Sequence, residues 1–155
     1  MAHERSGLWH WCSSLHTLAV GAGRRSVRSP RYALLQYKAA IKDCARAHKW
    51  EWAIRLNSAL CFDGRLRPDA ASFALAITAC SRAGRWQQAI HHLDVMQTHS
   101  VYPTAVAFTA ALSGCTERAR WAAGLSLLES MRSTSVQADI VTFSAAITAC
   151  ARAAQ

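Results

Sequence analysis

Acidic residues are scarce in this chain. Nine Asp and Glu stand against 18 Lys and Arg, for a formal charge of +9 over 155 residues. So one-sided a balance favours a polyanion or an anionic surface as partner. The excess is spread along the chain: residues 1–36 hold five Arg and one Glu, and the remainder carries +5. Glycine is sparse, at 7 residues, and forms no loop of the kind that cradles phosphates. No apolar run approaches the roughly 18 residues that a membrane span requires. The 6 cysteines include no Cys-x-x-Cys pair and four of them simply mark the repeat, so no metal site is expected. They read as small buried hydrophobes, which suggests a reducing compartment. Catalytic patterns are missing too: the acids are scattered, and no Ser, Cys or His set repeats a nucleophile arrangement. His91-His92 is the one histidine pair, and adjacent residues on a helix do not share a face. The sequence thus predicts no enzyme and no cofactor. With 52% hydrophobic residues it does predict a packed globular core.

What the sequence has in abundance is itself. "FALAITACSRAG" at 73–84 and "FSAAITACARAA" at 143–154 agree at eight of twelve positions. Tyr37, Phe73, Phe108 and Phe143 are separated by 36, 35 and 35 residues, and Cys44, Cys80, Cys115 and Cys150 repeat those intervals. Trp50, Trp86 and Trp121 keep the register, as do the pairs Pro68/Pro103, Met96/Met131 and Val101/Val136. A fixed period in this range is the mark of a stacked repeat array. Within one unit, Phe73, Ala76, Ile77 and Cys80 recur at helical spacing, Ala83-Gly84 supplies a stop, and Trp86, Ala89, Ile90, Leu93 and Met96 form a second stripe. Each unit is therefore a helical hairpin with apolar faces that only stacking can cover. Ala53, Ala89 and Gly124 share one position in the second helices, where a small residue lets neighbouring helices approach. The expected fold is an all-α solenoid.

The period and the placement of tryptophan at the start of the second helix separate these units from tetratricopeptide repeats, and HEAT and armadillo units are longer. "RPDAASFALAITACSRAGRWQQAIHHLDVMQTHSVYPT" resembles the pentatricopeptide repeat. It has the aromatic residue at the fourth position, the cysteine late in the first helix, Gly at the turn, the late Met, and Pro-Asp at the unit end. The resemblance covers residues 34–155, divided into units 34–69, 70–104, 105–139 and a partial unit 140–155. It departs from the family pattern at Thr104 after the second Pro, at Ala138-Asp139 in place of Pro-Asp, and at Glu117 and Ala119 in the third unit.

The resemblance implies single-stranded RNA binding, one base per unit. The fifth and last positions would read the base edge, the second would pack on its ring, and a basic thirteenth would lie near phosphate. Residue by residue, the reading pairs would be Lys38 with Asp69, Ala74 with Thr104, and Thr109 with Asp139, with Ser144 unpaired in the partial unit. The packing residues would be Leu35, Ala71, Val106 and Val141. Arg46, Arg82 and Arg152 would form the phosphate row, which Glu117 interrupts. Only Thr109 with Asp139 matches a pair the family uses often, and it implies guanine. Ala74 has no hydrogen-bonding side chain.

Residues 1–33 are a separate element. Leu8, Trp11, Leu15 and Leu18 fall at helical spacing, and Arg24, Arg25, Arg28 and Arg31 follow, with Glu4 the one acid. An amphipathic, Arg- and Ser-rich, acid-poor stretch resembles an organelle transit peptide, and it equally suits a structural arm. The expected localisation is the mitochondrion, with the chloroplast as alternative. The expected partners are organellar mRNA or rRNA together with protein subunits of a larger ribonucleoprotein or ribosome. The competing expectation is a scaffold that contacts only protein in a large organellar complex.

Overall fold

The computed structural model describes residues 30–63, 66–116 and 120–153. Residues 1–29, and with them most of the expected arm, lie outside the described residues, as do the side chains of Cys150 and Arg152. The described chain is seven helices and no strand: α1 Pro30–Arg46, α2 Trp50–Phe62, α3 Ala70–Arg82, α4 Trp86–Thr98, α5 Ala105–Thr116, α6 Trp121–Ser133 and α7 Ile140–Ala153. They fall into the expected hairpins α1–α2, α3–α4 and α5–α6, with α7 as the first helix of a fourth unit. The first helix differs from expectation in its start. Residues 30–33, assigned to the arm, already belong to α1, which opens at Pro30 because the first turn needs no N–H from that residue.

The repeated residues are the ones that end the helices. The carbonyls of Cys44, Cys80 and Cys115 accept from the N–H groups of Lys49, Arg85 and Arg120 at 2.9, 2.8 and 3.0 Å. Those of Met96 and Met131 accept from Val101 and Val136 at 2.9 and 3.1 Å. This is the long-range closure of a helix end that needs one residue in the left-handed conformation. That residue is Gly84 in the second unit, at φ 67°, as its sequence position predicts, whereas His48 takes the same role in the first unit at φ 55°. Ser100 and Ser135 serve the second helices at φ 57°. Val101 and Val136 then fold back onto the core that holds Met96 and Met131.

The first helices α1, α3, α5 and α7 pack each on the next and form a continuous layer, while each second helix lies against its own first helix and the one that follows. Second helices barely meet one another, so the array curves with the first helices on its inner side. Two devices tighten this layer. Gly114 in α5 leaves room for Ser81 of α3, whose atoms would lie 3.0–3.1 Å from an added Cβ. The Ser81 hydroxyl crosses to the Ala110 carbonyl of α5. On the outer side, Arg85 lies 5.2 Å over the Trp50 ring and Arg120 5.9 Å over Trp86, so successive hairpins are also stitched by cation–π contacts.

Phe73, Ile77, Phe108, Leu112, Leu93, Met96, Leu127 and Met131 make the larger core, and Tyr37, Ile41, Leu56 and Leu60 the smaller one. Ala53, Ala89 and Gly124 are buried as expected, Gly124 between Leu112 and Ala149. Cys44, Cys80 and Cys115 are buried too, and burial pushes the thiols of Cys80 and Cys115 up to about 12 and about 11. Those two thiols are neutral at physiological pH. Phe143 departs from its equivalents. Phe73 and Phe108 are 0% and 1% exposed, but Phe143 is 53% exposed because no described helix covers that side of α7.

Candidate nucleic-acid interface

Two of the three unit boundaries bring a carboxylate to the inner edge by the same local device. The last residue of a unit is the N-cap of the next first helix. At the first and third boundaries that residue is an aspartate, and its side chain turns back to satisfy an orphan N–H of the first turn. Asp69 accepts from the Ser72 backbone N–H at 3.0 Å, and the Ser72 hydroxyl donates to the Asp69 carbonyl. Asp139 accepts from the Thr142 backbone N–H at 2.8 Å and from the Thr142 hydroxyl at 2.7 Å, both on Oδ1. A carboxylate that must cap a helix is thereby aimed at the residue one unit earlier that projects from the neighbouring first helix.

At the first boundary that residue is Lys38. Its Nζ reaches Asp69 Oδ2 at 2.5 Å, so the fifth and last positions do converge, but on each other. Burial pushes the Asp69 carboxyl up. The hydrogen bond from Lys38, that from the Ser72 backbone N–H and the Lys38 charge outweigh it and hold the group below the usual carboxylate range. At the second boundary Ala74 is buried and Thr104 exposed, so no polar pair forms there. At the third boundary Thr109 does not touch Asp139. Its Oγ1 lies 2.9 Å from Thr142 Oγ1, which in turn contacts the carboxylate. The Thr142 hydroxyl and backbone N–H hold exposed Asp139 below the usual range, ionised at neutral pH.

A concave groove of about 430 Å³ opens at this third boundary. Thr109 and Asp139 line it together with Val106 and Val141, which are 67% and 61% exposed and flank it from α5 and α7. Arg82 of α3 stands at its edge. Thr78 and Ser113 also line it, but their hydroxyls donate to the carbonyls of Ala74 and Thr109 on their own helices. The polar groups directed at the groove are therefore few and concentrated at Thr109 and Asp139, the form expected of a small-ligand site.

Five of the residues expected from the sequence thus meet in one place: Val106, Thr109, Asp139, Val141 and Arg82. The others do not join them. Lys38 and Asp69 form their own pair, and Arg46 is exposed 3.8 Å from Asp43. Ser144 donates its hydroxyl to the Ile140 carbonyl. Arg152 lies on α7, with its side chain outside the described residues. Thr142, which is fully buried, was missed by sequence reasoning. Its signal was the Asp-x-x-Ser/Thr spacing shared by 69–72 and 139–142, a capping pattern.

The fold is similar to that of pentatricopeptide repeat solenoids. Crystal structures of the pentatricopeptide repeat protein PPR10 in complex with an 18-nt psaJ RNA element, one of them of a Cys→Ser variant, match with TM-score 0.51 and 24% identity. The match takes in 97% of this chain and 23% of the length of those proteins. No protein-family model and no curated protein matches the sequence.

Proposed function

We propose that this chain binds single-stranded RNA along the inner face of its first helices and reads one base, guanine, in the groove between α5 and α7. The observation that carries this is the meeting of an acceptor-bearing pair, Thr109 and Asp139, with two exposed valines placed to sandwich a planar ring and an arginine at the rim. The likeness to solenoids solved with RNA bound supports the polymer as ligand. Ionised aspartate only accepts, so the pair suits an edge that offers donors. Guanine offers N1–H and N2–H₂ on its Watson–Crick edge, whereas adenine sets an acceptor nitrogen against the carboxylate. The excess of positive charge, +9 overall, favours the phosphate backbone.

Magnitudes limit what one such site achieves. Stacked bases contribute about 1–3 kcal/mol each, and association costs about 4–15 kcal/mol. Three units give weak binding, and a single base read in one groove is no address in a transcriptome. Further contacts must come from elsewhere, either other members of a larger ribonucleoprotein or further repeats of a longer array. The basic, acid-poor residues 1–33 favour an organelle, mitochondrion before chloroplast, as the location. A second reading, a scaffold that holds protein alone, draws on the exposed apolar side chains Ile140, Phe143 and Ile147 of α7 and on the self-paired Lys38–Asp69.

The test is competition among short uridine-background RNAs that carry a single guanine, adenine or cytosine. The unsubstituted chain should prefer guanine. Asp139→Asn, which supplies a donor and removes the charge, should shift the preference toward adenine by about 1–3 kcal/mol, with little change in salt dependence. Equal affinity for all bases in the unsubstituted chain rejects base reading and leaves the scaffold ahead.

A further inference from the structure

The hydrogen-bond directions at the third boundary are fixed by elimination. Asp139 is ionised and has no proton to give, so the 2.7 Å contact with Thr142 must carry the Thr142 hydroxyl proton to Oδ1. A hydroxyl has one proton. Toward Thr109, 2.9 Å away, Thr142 Oγ1 is therefore an acceptor, and the Thr109 hydroxyl must donate to it. What Thr109 then presents to the groove is lone pairs. A free threonine would rotate its hydroxyl to suit whichever partner arrived, but here the proton is committed to a buried neighbour.

We propose that Thr142 is a positioning residue for base selection: by taking the Thr109 proton and giving its own to Asp139, it fixes both reading groups as acceptors and makes the groove select an edge with two donors. The inference rests on the reading of this groove as a base site. Thr142 itself is 0% exposed and does not line the groove, so it acts only through the two residues it holds. The first boundary shows what differs without it. There Ser72 gives its hydroxyl to the Asp69 backbone carbonyl, no relay reaches Lys38, and Lys38 meets the carboxylate itself.

The experiment compares Thr142→Val and Thr142→Ser in the full chain, with the uridine-background RNAs that carry one guanine or one adenine. Valine keeps the shape and loses the relay. Thr109 is then free to donate to adenine N1, and Asp139 loses its side-chain anchor. The guanine-over-adenine ratio should fall about tenfold, as expected for loss of a hydrogen bond to a charged group. The salt dependence of binding should stay as it was, which a merely structural defect would not ensure. Serine restores the hydroxyl and should restore the ratio. A second measurement needs no variant: the Thr142 hydroxyl proton of the unsubstituted chain should be visible by NMR and slow to exchange with water. A valine variant that keeps the full guanine preference overturns the inference while leaving the base-reading proposal intact. So does a rapidly exchanging hydroxyl proton, should the valine variant fail to fold. An unsubstituted chain with no base preference overturns the underlying reading and the inference with it.

Discussion

The boundary between the first and second units and that between the third and fourth begin alike. Each sets an aspartate as N-cap, each carboxylate takes the backbone N–H of the residue three positions on, and each looks toward the fifth residue of the preceding unit. Their outcomes diverge through that fifth residue. The long Lys38 side chain crosses to Asp69 and occupies its second oxygen, so the polar pair is satisfied within the protein. Thr109 is too short to make such a crossing. It finds Thr142 instead, and a groove lined by both reading residues stays open between the valines. The same cap serves a closed boundary and an open one, and the fifth residue together with the Ser72 or Thr142 hydroxyl beside the cap distinguishes them.

The largest expected effect comes from turning the open boundary into the closed one. Thr109→Lys should let the new ammonium pair with Asp139 and abolish guanine preference, a loss of about 1–3 kcal/mol of discrimination. Chain stability should change little, because the position is only half-buried. The check is the same competition series. Retained guanine preference in this variant would mean that the Lys38–Asp69 pair is no model for closure.

A smaller effect separates the two arginines near these boundaries. Arg82 lines the open groove, whereas Arg46 lies beside Asp43. Arg82→Ala should lower the slope of log affinity against log salt by about 0.7, the value for one phosphate on a single strand. Arg46→Ala should lower it less. Equal slopes for the two variants would dissolve the distinction.

The smallest effect concerns stability. Lys38→Met should cost about 0.5 kcal/mol, as usual for a partly exposed ion pair, and added salt should shrink that cost. Asp139→Asn keeps a capping oxygen, so its effect should not depend on salt. Acid should weaken both boundaries together. The folded-state pKa of each aspartate is lowered, so its contribution is full above the unfolded value of about 4 and is lost as pH falls below it. Urea denaturation at two salt concentrations and two pH values reads all of this.

The hairpins and the ends of their helices were legible in the sequence because their causes are local. Apolar spacing defines a helix face, and Gly84 with the recurring Cys and Met positions marks where helices close. The reading positions were legible as places and less so as states. Lys38 and Asp69 were expected to read a base together, and the structure shows them bonded to each other, a contact between residues 31 apart in sequence that no local pattern encodes. Thr142 stands at no position that the repeat marks as a reader. Its connection to Thr109 spans 33 residues.

The sequence alone therefore determined the repeat, the all-α solenoid and the residue that stands at each unit boundary. Only the stacked structure decided which boundaries close. It also decided that Phe143, a repeat of Phe73 and Phe108 in sequence, is 53% exposed where they are buried. The physical reason is the same in both cases. Helix periodicity and capping are set by residues within one or two turns, whereas burial and hydrogen-bond direction are set by whatever the neighbouring unit brings against a side chain.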